Sequence, residues 1–502
     1  MYVLLIGNIC VFTMIRVLYI NIVHRRNEEL MEKSKSFFRN TIIFTISNFA
    51  SKFLVFLLLP FYTRVLTPEE LGNGDLIVTT TTLLIPILSL CVSEGVLRFT
   101  LGIKENRSYV FVHGIKIIIK GFIFLILLFP IISQVSSIKP YLPYFYVLYI
   151  LTTINQYFNQ FTRGLEKIKL IGAIGIVSTI INVTANILFL VVFKLGIEGY
   201  LLSFILTNGL SALALYKFGK LYEYLSDFKV EDVNIAKQLR DYNIPLIPNR
   251  TSWWIISTFS RYALRYFTGI NNVGIFTAAN RVPSVITTFY GVVQQALLLS
   301  VIDDYEENNT YGFFIKTYRS MDTLLMLLVI FINITIKILA DFLFPGSYYE
   351  AYKLTPLLVT SVLFGSLHGN LSIIFSAMKN TRILFYNSLI GMILTIILNI
   401  SLIPLLGIYG AGISNIISYF IIWLHLYLKA KEYVSLSKSF VKDIFSYILI
   451  AVQGILIIYG DIEIYYIYSL FILTIIIFIK FDEIKLIMHL VKNIIASKRK
   501  PS

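Results

Sequence analysis

The sequence predicts an all-α polytopic membrane protein of about fourteen transmembrane helices, arranged as two six-helix bundles related by internal duplication plus two C-terminal helices. Three observations carry this reading. Of 502 residues, 57% are hydrophobic and 14% charged, with a mean hydropathy of +0.77, whereas a soluble domain carries about 25% charged residues. Apolar stretches of about the 20 residues that cross a hydrocarbon core recur along the whole chain. The Lys and Arg residues, which leave the chain with a net charge of +15, gather on alternate loops. With 27 Gly, 13 Pro and 2 Cys, collagen-like and disulfide-scaffold classes are excluded. The alternating ten-residue pattern of a membrane β-barrel is missing.

The spans are placed at 40–62, 76–97, 110–133, 141–162, 170–193, 197–216, 244–264, 273–300, 321–344, 354–377, 383–405, 409–428, 444–460 and 464–479. One set of loops, including the C-terminal tail, holds 28 of the 43 Lys and Arg residues, and the alternate set holds only Arg64, Lys139, Lys194, Arg265 and Lys353. By the positive-inside rule both ends of the fourteen-helix unit are cytoplasmic. Residues 1–30 read as an N-terminal extension. Arg25-Arg26 follows the apolar run Met1–Val23 instead of preceding it, an order unlike that of a cleaved signal peptide. Met31 opens a short basic segment before the first span and is the expected native start. The domain reading is then a bundle at 31–217, a cytoplasmic linker at 218–243 and a second bundle at 244–429. Two extra transmembrane helices follow at 430–480, and a basic cytoplasmic tail at 481–502.

The duplication shows as a shared LGIxGxxxS pattern. Leu195-Gly196-Ile197-Glu198-Gly199 with Ser203 reappears as Leu406-Gly407-Ile408-Tyr409-Gly410 with Ser414, each after an Asn-Ile pair at Asn186 and Asn399. A weaker match pairs Leu71-Gly72 with Val273-Gly274. Each half has an even number of spans, so the two share one orientation and are related by an axis along the membrane normal.

Seven basic residues lie within spans: Lys52, Lys116, Lys120, Arg250, Arg261, Arg281 and Lys337. Glu94 and Asp322 are the acids read as lying well within spans. A Lys or Arg facing lipid at mid-span costs about 2.5–3.5 kcal/mol on insertion scales, so such residues call for a watery interior or an anionic ligand. Helical spacing gathers them on polar faces. Thr41, Thr45, Asn48 and Lys52 share one stripe of the first helix; Arg250, Trp254, Ser257 and Arg261 share one on the seventh. Arg281, Ser284, Thr288 and Gln295 lie close to one face of the eighth, and Ser361, Gly365, His368, Ser372 and Ser376 line the tenth. Lys52, Arg250, Arg261 and Arg281 are the candidate substrate-binding cations of an electropositive cavity. Asn48, Glu94, Trp254, Ser257, Ser284, Thr288, Lys337 and His368 are candidate polar or coupling residues. Plainer roles compete: Lys116 and Lys120 snorkel from a helix end, Glu94 pairs with Arg98 at i+4, and His368 is a packing residue. No catalytic or metal-binding constellation is read; Cys10, Cys91 and the scattered His residues lack ligand spacing.

The run NTIIFTISNFASKFLVFLLLPFYTRVLTPEELGNGDL (Asn40–Leu76) resembles the opening of Wzx-type polysaccharide flippases. So do LSLCVSEGVLRF (Leu88–Phe99), LRDYNIPLIPNRTSWWIISTFSRYALRYFTGINNVGIFTAANR (Leu239–Arg281) and LGIYGAGISN (Leu406–Asn415). The resemblance is to the oligosaccharide flippase family of the multidrug/oligosaccharidyl-lipid/polysaccharide exporter superfamily. It implies two six-helix bundles, often with two further helices. It also implies translocation of undecaprenyl-diphosphate-linked oligosaccharide repeat units across the bacterial cytoplasmic membrane by alternating access, for surface glycans such as O-antigen or capsule. A polysaccharide polymerase and a chain-length regulator are the implied partners. No cofactor or nucleic acid is expected, and coupling to an H+ or Na+ gradient stands open. The alternatives are a peptidoglycan lipid-precursor flippase or an ion-coupled multidrug exporter of the same superfamily, and, in another class, a membrane polysaccharide polymerase. An ion-coupled exporter usually needs a carboxylate in the first bundle, whereas the first helix offers Lys52; the loops assigned outside are too short for a catalytic domain.

Overall fold

The computed structural model describes residues 58–102, 107–134, 138–225, 233–306, 312–378, 380–434, 436, 440–459 and 462–485. Asn48, Lys52 and the N-terminal extension lie outside the described residues. Those described are helical almost throughout, with no strand among them, and nine of their helices are long and apolar enough to cross a membrane. The helices are α1 Leu59–Val65, α2 Pro68–Leu88, α3 Val92–Gly102, α4 Arg107–Leu127, α5 Leu142–Gly164, α6 Ile168–Asn186, α7 Gly196–Phe218 and α8 Val233–Asn243. They continue with α9 Leu246–Phe267, α10 Ile270–Glu306, α11 Gly312–Leu343, α12 Ala351–Ala377, α13 Thr381–Leu406, α14 Ile408–Ala430, α15 Phe440–Tyr459 and α16 Ile462–Ile479. A helix therefore lies at every predicted span from the second to the fourteenth.

Two compact units emerge, one running through Thr277 early in α10 and the other from Ala278 onward. In the first, α2 begins eight residues before its predicted start. Thr67 accepts from the Glu70 N–H while the Glu70 carboxylate accepts from the Thr67 N–H, and Pro68 occupies the first turn. This capping box satisfies N–H groups that would otherwise be stranded at the helix start. The second predicted span is broken at its far end. Pro86 has no N–H to give, and Leu90 and Cys91 both take left-handed conformations (φ 50°) before α3 restarts. Two consecutive side-chain-bearing residues in that region store local strain, and the break sets Glu94 in the first turn of α3. Phe111, Tyr157 and Phe161 form the buried centre of this unit, with Val92 and Val96 of α3 packed in. The Tyr157 hydroxyl donates to the Phe111 carbonyl at 2.8 Å.

The two copies of the duplicated pattern hold equivalent places. Gly196 (φ 54°) and Gly407 (φ 58°) turn the chain into α7 and α14, a conformation cheap only for glycine. Gly199 and Gly410 each face a carbonyl of the preceding helical segment, that of Phe189 and that of Leu402. Asn186 and Asn399, both fully buried, each donate to the carbonyl four residues back, at 2.8 and 2.7 Å. The first copy adds a turn of π-helix at Ile187–Val192.

The second match is closer still. The starts of α2 and α10 cross so tightly that a Cβ on Gly72 would lie 2.6 Å from the Ile270 carbonyl oxygen. A Cβ on Gly274 would lie 1.9 Å from that of Pro68. Pro68 and Ile270 stand at the same offset as the two glycines, so the contact is reciprocal.

In the second unit α12 is buried along most of its length, packed by α11, α14 and α15. The last two helices are fastened to α11 by polar bonds. Asn333 donates to Gln453 at 3.2 Å, the Tyr465 hydroxyl donates to the Asn333 carbonyl, and the Tyr447 hydroxyl donates to Asp322 at 2.8 Å. Lys480, 2% exposed, bridges Asp322 (3.0 Å) and Asp443. Between helices in lipid, where apolar surface gives no net pull, such contacts and close packing hold a bundle together. Lys480, assigned by its position to the basic tail, is instead a buried ion-pair residue.

Candidate functional site

Helix α9 presents the polar face its spacing predicts, and α2 and α3 supply what that face touches. Near its start, Arg250 Nη2 meets Glu94 Oε1 at 3.0 Å, with the arginine side chain 56% exposed. One turn on, Trp254 Nε1 donates to the Thr79 carbonyl (3.1 Å) and to Thr82 Oγ1 (3.2 Å). The Tyr262 and Thr80 hydroxyls share a bond of 2.7 Å. Deeper still, Arg261 Nε donates to Asp75 Oδ2 at 2.5 Å, and Thr277 Oγ1 donates to the same oxygen at 3.0 Å. Arg261 Nη1 reaches the Ser257 carbonyl at 3.1 Å, and its guanidinium lies 5.6 Å from the centre of the Phe276 ring. Arg261 and Asp75 are 9% and 7% exposed.

The two candidate cations of α9 therefore do not lack acids: Arg250 is held by Glu94 and Arg261 by Asp75. The sequence reading placed Asp75 just outside the second span; the early start of α2 carries it two turns inside. Glu94 turns to Arg250, and the Arg98 guanidinium instead sits 4.5 Å from the Tyr242 ring centre. Thr79, Thr80, Thr82, Tyr262 and Thr277 also belong to the site and were not singled out from sequence. The signal for the α2 residues was readable: Thr67-Pro68-Glu69-Glu70 spells a helix start.

The other candidates lie in the second unit. Ser284 donates to the Arg281 carbonyl at 2.5 Å and Thr288 to the Ser284 carbonyl at 2.8 Å, so both hydroxyls bond back within α10. Lys337 donates to the Tyr352 hydroxyl at 3.0 Å. His368 is buried and meets Asn387 Nδ2 at 2.8 Å, while Asn387 Oδ1 meets His425 Nδ1 at 2.8 Å. Because Asn387 Nδ2 also donates to the Ile422 carbonyl (3.1 Å), His368 Nε2 is the acceptor and His425 Nδ1 the donor. Among the described residues no group of three or more His, Cys, Asp or Glu is placed to hold a metal ion.

Comparison with solved structures shows the fold. The chain superimposes on an inward-facing multidrug resistance MATE family transporter of the MOP superfamily with a TM-score of 0.60, at 16% identity over 78% of this chain and 98% of that one. An outward-facing MATE family transporter gives a TM-score of 0.57 at 18% identity, over 79% and 95%. A MOP superfamily transporter from Pyrococcus furiosus, described as having a binding pocket of reversed polarity, gives 0.56 at 15% identity, over 78% and 95%. No curated protein matches the chain. Residues 37–302, more than half of the chain and including all of α2 to α9, match the family described as polysaccharide biosynthesis protein. The chain belongs to that polysaccharide biosynthesis family, and it shares the multi-helical fold of the MATE transporters.

Proposed function

We propose that this transporter flips undecaprenyl-diphosphate-linked oligosaccharide repeat units across the bacterial cytoplasmic membrane by alternating access. The observation that carries the reading is the face of α9. Arg250 and Arg261 stand eleven residues apart, roughly 16 Å along the helix. Between and around them lies a ledge of hydroxyls and aromatic rings: Thr79, Thr80, Thr82, Trp254 and Tyr262. Guanidinium groups match phosphate oxygens in geometry and charge, and hydroxyls flanked by aromatic surface suit a sugar. The prenyl chain would remain in lipid. The inward-facing and outward-facing forms described for MATE transporters of this fold support alternating access. Membership of a polysaccharide biosynthesis family supports a glycan cargo, with the polymerase and chain-length regulator as downstream partners. No resident cofactor is required by this scheme.

Deletion of the gene, followed by analysis of lipid-linked oligosaccharides, tests the substrate. Complete repeat units should accumulate on the cytoplasmic face while surface glycan is lost; unchanged surface glycan in a strain without a second flippase refutes the reading. Arg281→Ala should abolish surface glycan at normal membrane abundance, and Arg261→Ala should abolish it even when expression is raised to match the wild-type amount of protein in the membrane.

A further inference from the structure

Arg261, the best-placed guanidinium for a headgroup phosphate, is already bonded to a carboxylate. We propose that Asp75 and the anionic headgroup compete for Arg261, and that the displaced Asp75 takes up one proton. This rests on the reading of Arg261 as a headgroup-binding residue and adds what must happen when the headgroup arrives.

Asp75 and Arg261 are nearly sealed from solvent, and both bonds to Asp75 converge on a single oxygen, Oδ2. Among the described residues Asp75 Oδ1 and Arg261 Nη2 make no hydrogen bond, so each end of the pair has bonding capacity left for an incoming group. A phosphate oxygen approaching there can replace Oδ2 as the acceptor of the Nε–H. Once that happens, Asp75 is a carboxylate in a poorly solvated pocket with a second anion beside it. Burial and a neighbouring like charge both favour the neutral acid. Among the described residues the charged or titratable groups facing Asp75 are Arg261 and Tyr262, both on α9; α10 contributes the Thr277 hydroxyl. Tyr262 is a phenol bonded to Thr80, so among the described residues no second cation stands ready to replace Arg261. The proton comes from solution and adds to one carboxylate oxygen; no other bond is made or broken. Thr277 serves both states, since its hydroxyl can donate to the carboxylate or accept from the carboxylic acid.

The exposed pair behaves differently. Arg250 is more than half exposed and its bond to Glu94 is worth little, so a phosphate can engage it without a protonation step. The structure thus offers an outer guanidinium open at any pH and an inner one opened by a proton.

The test uses the purified full-length protein in detergent and a farnesyl-diphospho-sugar, whose two phosphates are each singly ionised and do not titrate near neutrality. Calorimetry in two buffers of different ionisation heat should report uptake of about one proton per ligand bound. Affinity should fall about tenfold per pH unit on the alkaline side. Asp75→Asn should bind without proton uptake, lose the pH dependence, and bind about tenfold or more tightly than the wild type at about pH 8. Asp75→Glu, which keeps a carboxylate, should retain both uptake and pH dependence. A wild-type protein that binds with no proton uptake and no pH dependence overturns the proposal, as does an Asp75→Asn protein that still takes up the proton. The wild-type and Asp75→Glu measurements decide the matter even if Asp75→Asn does not fold. Arg261→Ala separates the two levels. Undiminished binding there refutes the headgroup role of Arg261 itself, whereas lost binding together with zero proton uptake in the wild type refutes only the exchange.

Discussion

Thr277 donates a hydrogen bond of 3.0 Å to Asp75 across 202 positions of sequence, the offset that also relates Gly72 to Gly274 and Pro68 to Ile270. Gly72 meets Ile270, the counterpart of Pro68, Gly274 meets Pro68 in turn, and Asp75 meets its own counterpart, so the start of α2 and the start of α10 meet as two copies of one surface. Such reciprocity between the two helix starts is what a local two-fold produces.

The glycines at this crossing should be intolerant of even a methyl group. Gly274→Ala would drive a Cβ into the Pro68 carbonyl, and Gly72→Ala would meet that of Ile270. Backbone on both sides leaves no flexible side chain to give way, and overpacking of this kind costs about 1–3 kcal/mol or more. Gly172→Ala and Gly175→Ala, which meet nothing within 4 Å, should be neutral or slightly stabilising. Detergent-extract melting curves for the four variants would show the contrast.

Removing Arg261 should harm stability more than removing both partners of its pair. Arg261→Met strands Asp75 in a nearly dry pocket, a loss of about 3–5 kcal/mol. Arg261→Met combined with Asp75→Asn should recover a large part of it. A double mutant no more stable than Arg261→Met would show that the two side chains are energetically independent.

Glu94→Gln provides the contrasting case. Its partner Arg250 is solvent-exposed, so melting temperature should hardly move and the stability change should stay below about 1 kcal/mol. Any effect on transport would then report on the freed guanidinium instead of on folding.

The last two helices should depend on Lys480. Lys480→Met leaves Asp322 and Asp443 facing each other with no cation between them. Limited proteolysis should cut the segment between α14 and α15 faster than in the wild type. Asp322→Asn together with Asp443→Asn in the Lys480→Met background should slow that cleavage again, because the buried charge is gone.

The course of the chain was legible from apolar stretches alone, because a bilayer demands about 20 apolar residues per crossing and permits few other solutions. The charges were less legible, for one physical reason. Hydropathy locates the apolar middle of a helix, and a charged residue near its end shortens the apparent span. Asp75, Asp443 and Lys480 each sit at the edge of a predicted span, and each is a buried member of an ion pair. For Asp75 the capping residues Thr67 and Glu70 give the true start. For Lys480, which directly follows Ile479, no local pattern separates a buried ammonium from a snorkelling one; only the arrival of Asp322 and Asp443 from elsewhere in the chain decides it. Trp254 was marked by its spacing on α9, but its bonds to Thr79 and Thr82 follow from tertiary packing and have no signature in sequence.

A residue that faces its own copy begins, when a gene is duplicated, with the same identity on both sides. Two aspartates at 75 and 277 would repel across the axis, and two threonines would leave Arg261 without a counterion. The mixed pair meets both constraints, and it arises only after the copies have diverged. The halves of this chain are consequently no longer interchangeable: a chain rebuilt from two copies of the first half would set acid against acid at this crossing.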